Sequence, residues 1–318
     1  MKLGKLYEQI VKTGIENDPR GKKSVSSDLA RKKERYKQLR DKDKEFFDKD
    51  SLFNPYADTR LLFGDKDKEI KTIFVGIDVG GEELLLIDRL NQKRKKKIDL
   101  AISHHPWGRA LASIFEVMSM QAELLAQVGV SISLAESLTS ERAKEVERRF
   151  MPVNNMRAVD TARLLNIPFL CMHTAADNCV ATYLQKIIDK KAPQKLQDII
   201  DILHQMPEYK YAAVNKNGPK IICGSPNSKA GKTFVDMTGG TEGSRDVFAK
   251  LADKGISTLI CMHLSEEHFK NVKKERINVV IAGHISSDSV GINLQLDRLE
   301  KKARLEIICG GGFKRYKR

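Results

Sequence analysis

Three stretches of the sequence bring imidazole and carboxylate groups to places where a metal ion could use them. The first is Asp99-Leu100-Ala101-Ile102-Ser103-His104-His105-Pro106, a short apolar run ending in two adjacent histidines. Pro106 then stops further strand pairing. Neighbouring side chains on an extended backbone diverge, so His104 and His105 could reach two different ions. The second is Cys171-Met172-His173-Thr174-Ala175-Ala176-Asp177, where His173 and Asp177 share a face if a helix begins early. The third runs from Ile277 through Gly283-His284 to Asp288, again an apolar run followed by an imidazole and, four residues on, a carboxylate. Each alone also reads as a surface turn or a helix cap. Together they offer at least three imidazoles and two carboxylates, which is too many for one tetrahedral ion. Such a set suits two ions sharing a carboxylate or a bridging water, and its donors suit Zn, Mn, Fe or Co.

The surrounding pattern must position these groups. From about Leu52 the sequence alternates strand-like and helical stretches. Strands are expected at 70–79, 98–103, 130–134 and 168–172, with helices at 82–94, 113–127, 140–150, 156–165 and 176–190. Pro193 opens a connection containing a helix at 196–204. The second half alternates again, with strands expected at 211–214, 220–223, 233–236, 258–262, 277–282 and 305–309. This grammar predicts an α/β fold with mostly buried sheets, divided as 51–192 and 193–318. Five of the seven histidines fall at or just after expected strand ends, the edge at which open α/β sheets bind ligands. His204 and His268 lie in charged helical contexts and read as surface residues. Residues 1–50 differ. A helix with Leu3, Leu6, Ile10, Val11 and Ile15 on one face ends near Asn17-Asp18-Pro19, and the charged stretch 28–50 reads as a helical arm outside the core.

Composition narrows the class. With 56 Lys and Arg against 42 Asp and Glu, the formal charge is +14, which first suggests a nucleic-acid partner. Nine of the basic residues, however, sit in two short runs, 93–97 and 314–318, and read as solvated loop and tail charge; nucleic acid is therefore not the favoured partner. No apolar run approaches the roughly 18 residues of a membrane span, and no secretory leader is evident. Five cysteines without a CxxC pair fit a reducing, cytoplasmic setting. Two motifs are decoys. Pro226 to Thr233 nearly spells a phosphate-binding loop, but Pro226 replaces the first glycine and Thr233 enters a strand. Gly310-Gly311-Gly312 has no helix-length sequence behind it.

The segments Ile102-Ser103-His104-His105-Pro106, His173 to Asp177 and Gly283 to Asp288, in this order, resemble the signature of the Nif-three-like dinuclear-metal family, whose members are often labelled GTP cyclohydrolase I type 2. Val235 to Gly240 and Leu264-Ser265-Glu266 look like that family's second half, and Asn54 to Asp58 with Gly64-Asp65 loosely resembles its opening. The likeness spans roughly residues 51–310. It implies two α/β lobes with mixed sheets flanked by helices and a dinuclear site in the cleft between the lobes, and it leaves the N-terminal helical extension, residues 1–50, outside. It makes His104, His105, Asp177, His284 and Asp288 the ligands of two divalent transition-metal ions, with Asp177 as the bridging carboxylate. It also implies a ring-like homo-oligomer, commonly a hexamer.

Several departures stand out. Asp288 replaces the usual Glu, and Ala175-Ala176 replaces Asn-Leu within the expected cleft. The 67 residues between His105 and His173 imply a helical insertion near the site at about 136–166. His263 stands where Gly-Glu is commoner, as a further ligand, a proton shuttle or, like His173, a hydrogen-bonding support. Two function classes follow. One is a metal-dependent hydrolase with His173 or His263 moving protons, acting on a small anionic substrate of nucleotide or phosphoester type. The other is a non-enzymatic metal-binding scaffold or regulatory partner.

Overall fold

The computed structural model describes residues 1–318. Its elements follow the expected alternation. Helices α1 (Leu3–Glu16), α2 (Lys22–Gln38) and α3 (Asp41–Lys44) precede strands β1 (Arg60–Phe63) and β2 (Thr72–Gly76). Then come α4 (Gly81–Lys93), β3 (Leu100–Ser103) and a helical block of α5 (Gly108–Ala112), α6 (Ile114–Val117), α7 (Ser119–Gln127), α8 (Ile132–Phe150) and α9 (Arg157–Leu164). Strand β4 (Phe169–Cys171) leads into α10 (Thr174–Lys191), α11 (Leu196–His204) and α12 (Pro207–Val214). The remainder is β5 (Lys220–Cys223), β6 (Lys232–Asp236), α13 (Val247–Asp253), β7 (Ile256–Cys261), α14 (Glu266–Lys274), β8 (Asn278–Ile281), α15 (His284–Glu300) and β9 (Glu306–Cys309).

The strands form two mixed sheets flanked by helices, in the orders β1-β4-β3-β2-β9 and β5-β8-β7-β6. In each sheet one edge strand, β1 or β5, runs antiparallel and the rest are parallel. The parallel strands are short and apolar because both faces are covered; β2 and β3 are buried at every position. Helices α10 and α15 pack closely on one another and join the two cores, with Ala176 and Leu296 in one cluster and Val180 and Val290 in the other. Gly291 makes that crossing possible, since a Cβ there would stand 2.4 Å from the Ala176 carbonyl oxygen. Gly14 of α1 has the same role, as its Cβ would meet that of Ala175 at 2.8 Å. Ala175 and Ala176 thus lie fully buried in a three-helix contact and do not face the cleft as expected.

Several other expectations are corrected. The first helix is no appendage. Leu3, Leu6, Tyr7, Ile10 and Val11 are buried in the core of the first sheet, because the apolar face of α1 covers α10 and α15. Helices α2 and α3 match the exposed arm, with Val25 their single buried residue. The strand expected at 211–214 is the last turn of α12, which Pro207 starts at a position where its missing N–H costs nothing. The strand expected at 130–134 is the entry to α8, where the Ser131 hydroxyl accepts from the Leu134 N–H. The single helix expected at 113–127 is broken into short pieces. Strand β1 went unforeseen because it opens on Arg60, a fully buried arginine that interrupts the apolar pattern. Residues 306–309 pair with β2, so the chain returns to the first sheet and the boundary at 193 does not hold to the C-terminus. The basic tail is not free charge: Arg315 pairs with Asp297 and Glu300, Lys317 with Glu300, and Arg318 with Glu208.

The place of α1 in the core yields a direct test. Leu6→Ala should lower unfolding free energy by about 2–4 kcal/mol, the usual cost of a buried Leu truncation, measured by urea denaturation. A change below about 0.5 kcal/mol would mean that α1 is the detachable extension it resembles in sequence.

Candidate metal centre

The six histidine and carboxylate positions that matter here lie beyond the carboxyl ends of parallel strands. Asp78 follows β2, His104 and His105 follow β3, and His173 follows β4. In the second sheet His263 follows β7 and His284 follows β8. The two helices that start after β4 and β8 carry the carboxylates, Asp177 in the first turn of α10 and Asp288 one turn into α15. Because α10 and α15 cross closely, the two sheets present their ligand-bearing edges to a common cleft. All five residues expected as metal ligands come together there, with His173 and His263 beside them.

His104 is at the centre. Its Nε2 is 3.4 Å from Asp177 Oδ1 and 3.4 Å from Asp288 Oδ1. Its Nδ1 lies 2.9 Å from the Met172 carbonyl, which can only accept, so Nδ1 carries a proton and Nε2 faces the cleft. Asp288 turns its other oxygen to His105 Nε2 at 3.5 Å and His284 Nε2 at 3.6 Å. Asp177 turns its second oxygen towards His173, 3.8 Å from Nδ1. Two groups of donor atoms are compact enough to hold an ion: His104, His105 and Asp288, and His104, His173 and Asp177. His173 thereby falls in a ligand group, a place the family resemblance did not give it. Both carboxylates face imidazoles through both oxygens.

The centre is mostly closed to water. His104, His173, Asp177 and Asp288 are buried, whereas His105 and His284 are partly exposed and form the open side. Five buried atoms have no hydrogen-bond partner: His104 Nε2, His105 Nε2, Asp177 Oδ1 and both oxygens of Asp288. Orphaned groups of this kind are costly, and their convergence on one point fits a cation that would satisfy them together. These residues therefore fit a metal site.

Without a cation the carboxylates must take their counter-charge from protons. Burial opposes a charged His104, yet Asp288 and Asp177 overcome it and hold its pKa well above the ordinary imidazole value. Burial likewise opposes a charged His105, and the neighbouring carboxylates of Asp288 and Asp78 outweigh it, raising its pKa to about 9. Asp288 is driven far below the usual carboxylate range: burial works the other way but the charges of His104 and His105 prevail. His284 goes down, because burial outweighs the attraction of Asp288.

A second layer of contacts fixes the rings, and sequence reasoning gave it no role. Asp58 Oδ2 accepts from His173 Nδ1 at 2.8 Å and from the Thr174 hydroxyl at 2.6 Å. The charge and hydrogen bond of His173 lower the Asp58 pKa against the effect of burial. Asp78 Oδ1 lies 2.7 Å from His105 Nδ1. Such imidazole–carboxylate pairs are the ordinary support of metal-binding histidines. A partner for an imidazole was to be expected, but Asp58 is 115 residues from His173 and no local spacing connects them. At the cleft mouth Glu242 stands 3.3 Å from His263 Nδ1, and burial is outweighed by this contact so that the Glu242 pKa falls to about 2. His268, expected at the surface, is buried beneath it with Nδ1 at 2.7 Å from Ser265 Oγ and Nε2 at 3.0 Å from the Gly243 carbonyl. His204 is exposed as expected. The helical insertion reaches this rim through Arg142 of α8, which donates to the Glu242 carbonyl.

Two α/β sheets meeting at a buried histidine–aspartate centre define the class of protein. No family model and no curated protein matches the sequence, but solved structures do. A NIF3 superfamily protein from Sphaerobacter thermophilus is 28% identical, aligned over 80% of this chain and 91% of that one, with a TM-score of 0.69. Reduced HcgD from Methanocaldococcus jannaschii is 16% identical over 78% of this chain and 87% of its own, with a TM-score of 0.51, and supports the fold alone. By this likeness the chain is similar to NIF3 superfamily proteins, in line with the resemblance of its motifs to the Nif-three-like family. No helix is long and apolar enough to cross a membrane.

The protonation pattern predicts how stability should respond to pH. His104 and His105 have raised pKa values when no metal is bound, so the stability they contribute is complete below pH 6.5 and is lost as pH rises, for His105 towards 9, at up to about 1.4 kcal/mol per unit for each group. A bound cation replaces those protons. The stabilisation by Zn or Mn, read as the difference in Tm with and without metal, should therefore grow between pH 6 and 9. A difference that is flat or shrinks over this range would contradict the assignment of counter-charge to these two rings.

Proposed function

We propose that this protein is a metal-dependent hydrolase that holds two divalent transition-metal ions and acts on a small anionic substrate of nucleotide or phosphoester type. The observation that carries this reading is the convergence of five buried, unpaired ligand atoms from His104, His105, Asp177 and Asp288 in two overlapping donor groups. The family resemblance points to His104, His105, Asp177, His284 and Asp288 as the residues that would hold the ions, and the two donor groups share His104, His105, Asp177 and Asp288 with that set. Divalent ions there would polarise a substrate oxygen and lower the pKa of a water molecule.

The protein's own groups supply the rest. His173, fixed by Asp58 through Nδ1, keeps its Nε2 available to the cleft. His263 is half exposed at the mouth, and its contact with Glu242 raises its pKa, so it is suited to carry a proton between the site and solvent. The hydroxyls of Thr241 and Ser244 line the same cleft, whose walls contain no lysine or arginine. Recognition of a negative group therefore falls to the ions and to neutral donors. The excess of positive charge elsewhere on the molecule would act on encounter with such a substrate, and less on its final seating.

Metal-loaded protein screened against nucleotides, phosphodiesters and cyclic amides should turn over at least one of these classes. His284→Ala should abolish that turnover, and His263→Ala should lower kcat about 10²–10⁴-fold, the usual contribution of an acid–base group, with metal content unchanged. Absence of turnover throughout, together with tight salt-dependent binding to nucleic acid, would replace this reading with that of a metal-binding scaffold.

A further inference from the structure

The segment leading into β1, with the strand's first residue, contains Asp48, Asp50, Asn54, Asp58 and Arg60 within thirteen residues. Such density of charge is usual in an exposed loop, yet Asn54, Asp58, Thr59 and Arg60 are all buried. Their contacts explain why. Arg60 donates from Nε and Nη2 to Asp48 Oδ2 at 3.0 and 2.8 Å. Its Nη1 donates to the carbonyls of Tyr56 and Thr59, curling the chain around the guanidinium. Asn54 and Tyr7 converge on the same Thr59 carbonyl.

That turn faces the metal centre with its other side. Asp58 holds the His173 ring and the Thr174 hydroxyl. The Thr59 hydroxyl oxygen accepts from the N–H groups of His173 and Ala175 at 3.2 and 3.4 Å, gripping the start of α10 ahead of Asp177. Asp48 makes one more contact. Its Oδ1 accepts from Arg109 Nη1 at 3.1 Å. Arg109 lies in α5, four residues after His105, and its Nη2 donates to Asp50 at 2.8 Å. One carboxylate of the N-terminal segment therefore joins two arginines, each belonging to a chain segment that carries or supports ligands.

We propose that Asp48 is a positioning residue for the metal centre, joining Arg60 and Arg109 so that Asp58 and Thr59 hold His173 and the first turn of α10 in register with His104 and His105. The N-terminal segment thus works as a clasp on the site, in addition to covering the core. The inference rests on the proposed metal-binding reading for its affinity measurement, but the ring geometry can be read without metal.

The test uses the full chain with Asp48→Asn, which keeps shape and removes charge. In metal-free protein at fixed pH, 15N NMR of the imidazoles should show His173 as the Nδ1–H tautomer in the wild type and as a mixture in Asp48→Asn. Zn affinity by competition with a chelator should weaken about 10-fold, the lower end of what loss of a ligand-orienting contact costs. Asp48→Glu should restore much of both signals. In Asp58→Asn protein, adding Asp48→Asn should weaken Zn binding by less than twofold further, because both act through one contact. Asp43→Asn, which breaks only the exposed pair with Arg40, should change neither signal. An unchanged His173 tautomer in Asp48→Asn, or fully additive losses in the double variant, would overturn the proposal even if stability falls. Wild-type protein that binds no Zn would instead defeat the metal-site reading, and the NMR comparison would still decide the role of Asp48.

Discussion

The structure depends on the confrontation of Asp177 and Asp288. Each has an oxygen 3.4 Å from His104 Nε2, so those oxygens lie no more than about 7 Å apart in a buried site. At an effective dielectric near 20 their repulsion is at least about 2 kcal/mol, a sizeable part of the 5–15 kcal/mol that holds a domain together. Positive charge must offset it. In the metal-free state His104 and His105 supply it as imidazolium, which leaves their Nε2 atoms badly placed for hydrogen bonds. A divalent cation satisfies the same charges and the same unpaired atoms, and this is why the centre reads as a metal site and not as a buried ion-pair network.

The rest of the fold can be seen as what brings those two carboxylates together. Each stands in the early turns of a helix that follows a parallel strand, one from each sheet. Gly291 against Ala176 lets the helices cross at a distance no side chain would permit, and Gly14 against Ala175 lets α1 close over the crossing. Strand β9 then returns to pair with β2 and ties the end of α15 to the first sheet. The small residues at 175 and 176, which in sequence look like a change to the cleft, are a packing device.

Much of this was legible in the sequence because the chemistry is local there. A short apolar run followed by an imidazole marks a strand end, and that rule placed His104, His105, His173, His263 and His284 on the ligand-binding edges. What escaped was long-range. Asp58 supports His173 across 115 residues, and Arg60 begins a strand only because Asp48 neutralises it. The amphipathic face of α1 could be read, but not its burial beneath the first sheet, since a helix packed on a core and one packed on a partner have the same periodicity. The run Tyr211-Ala212-Ala213-Val214 suits a strand by composition, and Pro207 upstream decided for a helix.

The central proposal is that this centre holds two cations, and anomalous diffraction from a crystal soaked in Zn or Mn tests it most directly. Two peaks roughly 3.5–4 Å apart, one beside His105 and Asp288 and the other beside His173 and Asp177 with His104 between them, are the predicted result. A single peak, or none at these side chains at full soaking, would contradict the account.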